Sequence, residues 1–209
     1  MHDFDENNEE FKSLIKDIEL KLKNKDSFYL DVEEISNVAN YYLEKGIINK
    51  ALVILKIGIN LHPISGDVRL HLAQVYLAQG EYEIALDYAN KTLEIDPNNA
   101  EVLILKAEIF SYQSNHKKSI EFYTEYLDKN LGENLDLIYN DLAWEYESLN
   151  DYENALVYLK KALALNPKED TLLFEIAYFY EEMGKQEECI EFYNKFLDEN
   201  PYSFNGCYN

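Results

Sequence analysis

The chain reads as all-α, a solenoid of about five helical hairpins behind one N-terminal helix. Three observations predict this. Five alanines, Ala39, Ala73, Ala107, Ala143 and Ala177, stand 34, 34, 36 and 34 residues apart. Each is followed three residues later by an aromatic: Tyr42, Tyr76, Phe110, Tyr146 and Tyr180. Twelve residues after each alanine comes a second small residue: Ala51, Ala85, Ser119, Ala155 and Cys189. A fixed period of this length marks a fold that grows by stacking one supersecondary unit, and such folds mostly work as binding surfaces.

The first element lies in residues 1–31. Phe11, Leu14, Ile15, Ile18 and Leu22 recur at helical spacing among lysines and glutamates, which predicts one amphipathic helix broken near 24–27. Its expected role is to cap the exposed flank of the first hairpin. A docking helix that moves aside for a partner is the other reading. Phe28, Tyr29 and Leu30 then lead into the repeats.

Five units follow, at about 32–65, 66–99, 100–135, 136–169 and 170–201. In each, a turn residue precedes the second small residue by five: Gly46, Gly80, Ser114, Asn150 and Gly184. Glycine or asparagine there supplies a left-handed turn after the first helix. An exit position stands twelve residues past the second small residue: Pro63, Pro97, Leu131, Pro167 and Pro201. Proline fits there because it cannot continue a helix. The small residues let two helices approach closely, and the aromatics fill the space between them. The third unit departs furthest. It carries Ser114 at the turn, Leu131 at the exit and two extra residues in 131–135, with Gly132 expected to absorb the bend.

Residues 202–209 read as the cut-off start of a sixth unit, with Cys207 where a large residue would open its first helix. A helix that short is unstable alone. The expectation is the N-terminal part of a longer array. The last helix, with Phe192, Tyr193 and Phe196, would then leave apolar surface uncovered and favour a homodimer through that end.

This pattern resembles the tetratricopeptide repeat family over about 32–201. The stretch Gly80-Glu81-Tyr82-Glu83-Ile84-Ala85-Leu86-Asp87-Tyr88 is similar to that family's turn and second helix, as is Asn150-Asp151-Tyr152-Glu153-Asn154-Ala155-Leu156. The segment 196–203 also resembles the run-on of bacterial arrays of this kind. The resemblance implies a right-handed α-α superhelix whose first helices line a concave groove. Groove positions carried over residue by residue are Ser36, Asn40, Leu70, Gln74, Ile104, Glu108, Asn140, Trp144, Phe174 and Tyr178, with Glu33, Asp67, Glu101, Leu137 and Thr171 at the entrance. On this reading the groove is acidic toward its N-terminal half and aromatic toward its C-terminal half. Trp144, the sole tryptophan, either lines the groove or packs against the next repeat. Chaperone-binding members of the family clamp a carboxylate with Lys, Asn and Arg. Here Asn40 fits one such position, but Ser36 and Glu101 stand where cations are needed.

Charge narrows the partner. The chain has 19 Lys and Arg against 40 Asp and Glu, a net charge of -21. Pentatricopeptide and Sel1-like repeats have neighbouring periods, and the first of these bind RNA. A chain this acidic repels a polyanion that basic side chains must neutralise, so no nucleic-acid partner is expected. A neutral or basic protein segment, extended or helical, fits better. No apolar run approaches the roughly 20 residues that span a bilayer, so no membrane partner is expected either. The acidic N-terminus lacks the basic start and apolar stretch of a secretory signal, which leaves the cytoplasm as the default. Two cysteines make no disulfide framework.

Signatures of catalysis are missing from the sequence. There is no Gly-rich phosphate loop, paired CxxC or HExxH. His2, His62, His71 and His116 lie in different units and read as solvated surface residues, with no cofactor or metal implied. Cys189 reads as a packing thiol, since no basic neighbour is evident to activate it. Carboxylate pairs such as Glu181-Glu182 and Glu187-Glu188 read as a solvated face. The expected function is a non-catalytic protein-interaction scaffold. The alternative is a regulatory or sensory module whose activity lies beyond residue 209 or in a partner.

Overall fold

The computed structural model describes residues 9–129 and 135–199. Among these there are eleven helices and no strand: α1 (Glu9–Asn24), α2 (Val32–Glu44), α3 (Ile48–Leu61), α4 (Gly66–Ala78), α5 (Tyr82–Ile95), α6 (Ala100–Tyr112), α7 (His116–Asp128), α8 (Leu135–Ser148), α9 (Tyr152–Leu165), α10 (Asp170–Glu182) and α11 (Gln186–Glu199). The exit at Leu131, the bend at Gly132, Pro201 and the sixth-unit residues 202–209 with Cys207 lie outside the described residues.

The hairpin turns share one hydrogen-bond scheme. Gly46, Gly80, Ser114, Asn150 and Gly184 all have positive φ, between 57° and 76°. In each turn the next residue donates its backbone N–H to the carbonyl of the marker aromatic. The pairs are Ile47 to Tyr42, Glu81 to Tyr76, Asn115 to Phe110, Asp151 to Tyr146 and Lys185 to Tyr180, at 2.7–2.9 Å. The turn residue itself bonds back three residues, as Gly46 does to Leu43 at 2.9 Å. This is the Schellman arrangement, which satisfies the last carbonyls of the first helix. The aromatic and the turn residue are thus two ends of one motif, which is why their spacing does not vary.

The chain divides into two compact units, 1–105 and 106–209, with the division inside α6. In the first, Ile15 and Ile18 of α1 share a core with Ile35, Val38, Ala39 and Tyr42 of α2, Ala51, Ile54 and Leu55 of α3, and Val68, Leu72 and Val75 of α4. The apolar face of α1 therefore covers the first hairpin. Glu19 of α1 ties it down. It accepts from Tyr42 Oη at 3.2 Å and from Lys50 Nζ at 2.5 Å. The lysine bond holds the Glu19 carboxyl below its usual range, and burial pushes the Tyr42 hydroxyl well above its own. Asp31 opens α2 with a reciprocal capping box to Glu34, at 2.8 and 3.0 Å.

In the second unit, Ala143, Ala155, Leu156, Leu159, Ala162, Leu163, Leu172, Leu173, Ile176, Phe179, Tyr180 and Phe196 form the core. Phe192 and Tyr193 pack against it half-buried, and Tyr193 Oη donates to the Leu173 carbonyl. Ile190 of the same helix, α11, is 63% exposed, and Phe192 and Phe196 line an open pocket with Leu163 and Tyr180, so apolar surface remains at this end of the described residues.

The marker alanines Ala39, Ala73, Ala107 and Ala143 are buried, as are Ala51, Ala85, Ser119 and Ala155. Ala177 and Cys189 are only half-buried. They sit in the last described hairpin, where no further described helix covers them. Tyr76, Phe110 and Tyr146 are half-buried because each stacks on an aromatic twelve residues on: Tyr88, Phe122 and Tyr158, at 5.5–5.7 Å between ring centres. Tyr180 meets Phe192 in the same relation at 6.2 Å.

Candidate functional site

The second unit carries an exposed aromatic face on two first helices. Trp144 of α8 is 52% exposed, and Phe174 and Tyr178 of α10 are 61% and 46% exposed. Phe174 and Tyr178 are four residues apart and so share one helix face. Large apolar side chains left in solvent together mark an interaction surface more often than scattered single ones do. Between the helices lies a cavity of about 420 Å³, lined by Asn140, Asp141, Trp144, Glu147, Glu175 and Tyr178 among others. The Oδ1 of Asn140 is buried and has no hydrogen-bond partner.

The cavity is acidic as well as aromatic. Burial raises the Glu175 carboxyl above its usual range, and Glu147 and Glu169 add to this. Burial raises Asp141 too. A hydrogen bond from Tyr123 works against that rise, and Glu145 adds to it. The phenol of Tyr178 is raised mainly by Glu182. The side chains that shift these three residues are carboxylates and phenols.

Deeper in the unit a polar cluster joins α6, α7 and α8. Burial, then repulsion from Asp141, pushes Glu108 up to about 7. The Tyr123 hydroxyl, bonded to Asp141, is pushed far above its usual value by burial first. Glu145 is 1% exposed, and its Oε2 lies 2.7 Å from His116 Nδ1. The His116 ring meets Trp144 edge-on at 5.6 Å, which links this cluster to the tryptophan.

The sequence-derived positions divide. Asn140, Trp144, Phe174 and Tyr178 lie on this one face. Glu108 belongs to the polar cluster of α6, α7 and α8. In the first unit, Ser36, Asn40 and Ile104 are half-buried, Gln74 is exposed, and Leu70 is 4% exposed. Leu70 therefore offers no groove surface, because its side chain packs inward. Two histidines are not solvated surface residues. His116 backs Glu145, and His62 is half-buried with Nε2 2.8 Å from the Leu30 carbonyl. The aromatic end also proves acidic. Asp141, Glu147 and Glu175 fall outside the groove and entrance positions that the repeat register marks. Asp141 and Glu175 directly follow Asn140 and Phe174 and so lie to the side of that stripe, whereas Glu147 lies about one turn on from Trp144.

Among the described residues, no group of three or more His, Cys, Asp or Glu side chains is placed to hold a metal ion, and no helix is long and apolar enough to cross a membrane.

Hairpins repeated at this period, with an open aromatic face and a packed interior, define a helical-repeat protein built for protein–protein interaction. Residues 42–109, 137–169 and 171–203 each match tetratricopeptide repeat profiles, and the chain belongs to that family. The fold is similar to that of PilF from Pseudomonas aeruginosa, with TM-score 0.68 and 21% identity over 85% of this chain and 77% of that one. It is also similar to MamA from Desulfovibrio magneticus RS-1, with TM-score 0.65 and 16% identity over 82% and 97%. A second MamA structure matches with TM-score 0.64 and 18% identity over 83% and 97%. At these identities the likeness is one of fold. No curated protein matches the chain at a significant level.

Proposed function

We propose that the chain is a non-catalytic interaction scaffold of five repeat units, at about 32–65, 66–99, 100–135, 136–169 and 170–201. It binds a neutral or basic protein segment on the α8–α10 face. The observation that carries this reading is one cavity lined by Trp144 and Tyr178, with Phe174 one turn before Tyr178 on the same helix face, all three about half exposed or more. Exposed aromatics next to a pocket are the usual anchors of a protein interface. The net charge of -21 favours partners that are not acidic.

The test is capture of partners from the native host by the wild-type chain and by the double variant Trp144→Ala, Phe174→Ala. The double variant is expected to keep its helical circular dichroism and lose most of the captured partner. Full recovery by a folded double variant would remove this face from the proposal.

A further inference from the structure

We propose that the α8–α10 cavity seats one basic side chain, lysine or arginine, of the bound segment. This rests on the reading of that face as the partner site and names the chemistry the site selects.

Three observations converge. The first is shape. A cavity of about 420 Å³ has room for one long side chain, and Trp144 and Tyr178 help form its walls. Lysine and arginine have long apolar stems that suit such walls, and their charged heads are attracted to aromatic faces. The second is charge. Asp141, Glu147 and Glu175 line the same cavity, yet the ionic groups acting on Asp141 and Glu175 are acidic. Two lysines of this unit are engaged elsewhere: Lys185 with Glu153 at 2.7 Å, and Lys160 with the Tyr180 hydroxyl at 2.6 Å. Among the described residues no cation pairs with these three carboxylates, and a guest cation supplies the counter-ion. The third is Asn140, which lines the cavity and whose Oδ1 is closed to solvent and lacks a donor, so that a turn of its amide toward the guest gives it one. An ammonium or guanidinium brings several N–H donors.

The source is a protein segment and not a free polyamine. Phe174, 61% exposed one turn before Tyr178, and Leu137, 57% exposed one turn before Asp141, extend the apolar face beyond the cavity. A free cation would leave them in water. A peptide with apolar residues flanking its basic one covers them.

The experiment uses the whole chain and five synthetic probes. Four are acetylated, amidated pentapeptides, Gly-Leu-X-Leu-Gly, in which X is arginine, lysine, citrulline or norleucine. The fifth is spermidine. Trp144 is the sole tryptophan, so its fluorescence reports on this site alone. The arginine or the lysine peptide should perturb Trp144 at concentrations at least tenfold lower than citrulline and norleucine. That advantage should shrink with added salt and vanish in the Glu147→Gln, Glu175→Gln double variant. Equal response to arginine and citrulline overturns the proposal, as does an unaltered preference in the double variant or no response to either basic peptide. Spermidine acting at lower concentration than both basic peptides overturns the assignment to a protein side chain. The partner-capture experiment with Trp144→Ala, Phe174→Ala is independent of charge. If capture is lost there while the cation preference is absent here, the interaction face stands and this inference falls.

Discussion

His116 Nδ1 lies 2.7 Å from Oε2 of Glu145, a side chain 1% exposed, and this contact joins the start of α7 to the last turn of α8. A buried carboxylate without a partner costs far more than the contact itself contributes. With Nδ1 as the donor, the contact satisfies Glu145 and sets the imidazole edge-on to Trp144 at 5.6 Å. His116→Ala is expected to lower stability by about 1–3 kcal/mol through the stranded carboxylate. His116→Phe with Glu145→Leu should recover most of it, since a well-packed apolar pair often replaces a buried polar one without loss. Urea midpoints followed by circular dichroism check both. A His116→Ala midpoint equal to wild type would show that water solvates Glu145 and that the contact is dispensable.

Glu108 predicts a pH dependence. Its carboxyl is raised from 4.5 to about 7 by burial and by Asp141, and Tyr123 and Glu145 complete the cluster around it. Between those two values the folded chain holds a proton that the unfolded chain has released. The resulting stability is fully present below 4.5 and is lost as pH rises through about 7. Glu108→Gln removes this term, worth about 1–3 kcal/mol. The wild-type Tm should therefore fall between about pH 5 and pH 8 more steeply than that of the variant, by the linkage of proton binding to folding. Parallel curves would show that general repulsion in this acidic chain, and not Glu108, sets the slope.

Gly58 is buried in α3, and a Cβ built there would lie 2.8 Å from Ile35 Cγ2 and 3.3 Å from Val68 Cγ1. Both neighbours are fully buried and have little room to move. Alanine gains about 1 kcal/mol in helix propensity over glycine, and overpacking costs about 1–3 kcal/mol. The net expectation for Gly58→Ala is a loss of about 1 kcal/mol, read from thermal unfolding. A gain in Tm would mean that α3 shifts away from Ile35 at no cost.

Ser114 holds φ 57° at a turn where three other units have glycine. A left-handed conformation costs a residue with a Cβ about 1–2 kcal/mol, and glycine's extra freedom when unfolded returns part of that. Ser114→Gly is expected to raise stability by about 0.5 kcal/mol, and Ser114→Ala to give no such gain. Equal Tm values for the two variants would show that the turn is not strained.

Much of the architecture was legible because its causes are local. The turn residues found from spacing alone are the ones with positive φ, and the marker aromatics are the ones whose carbonyls close those turns. A Schellman turn involves six consecutive residues, and a helix face repeats every turn, so both leave short-range marks in the sequence. Lys25, with φ 60°, likewise ends α1 within the break expected near 24–27.

The site was legible only in part. Trp144, Phe174 and Tyr178 followed from the register, whereas the inward turn of Leu70 did not. Nor did the role of His116, which reads alone as a surface histidine and acquires its partner 29 residues away. By itself the sequence determined the period, the turns, the small packing positions and the excess of negative charge, because each is set by neighbours along the chain. Only the tertiary structure decided which carboxylates converge beside Trp144, and how little room Ile35 and Val68 leave for a Cβ at Gly58. Those facts depend on how one helix lies against the next, at separations where the chain's local geometry no longer constrains distance.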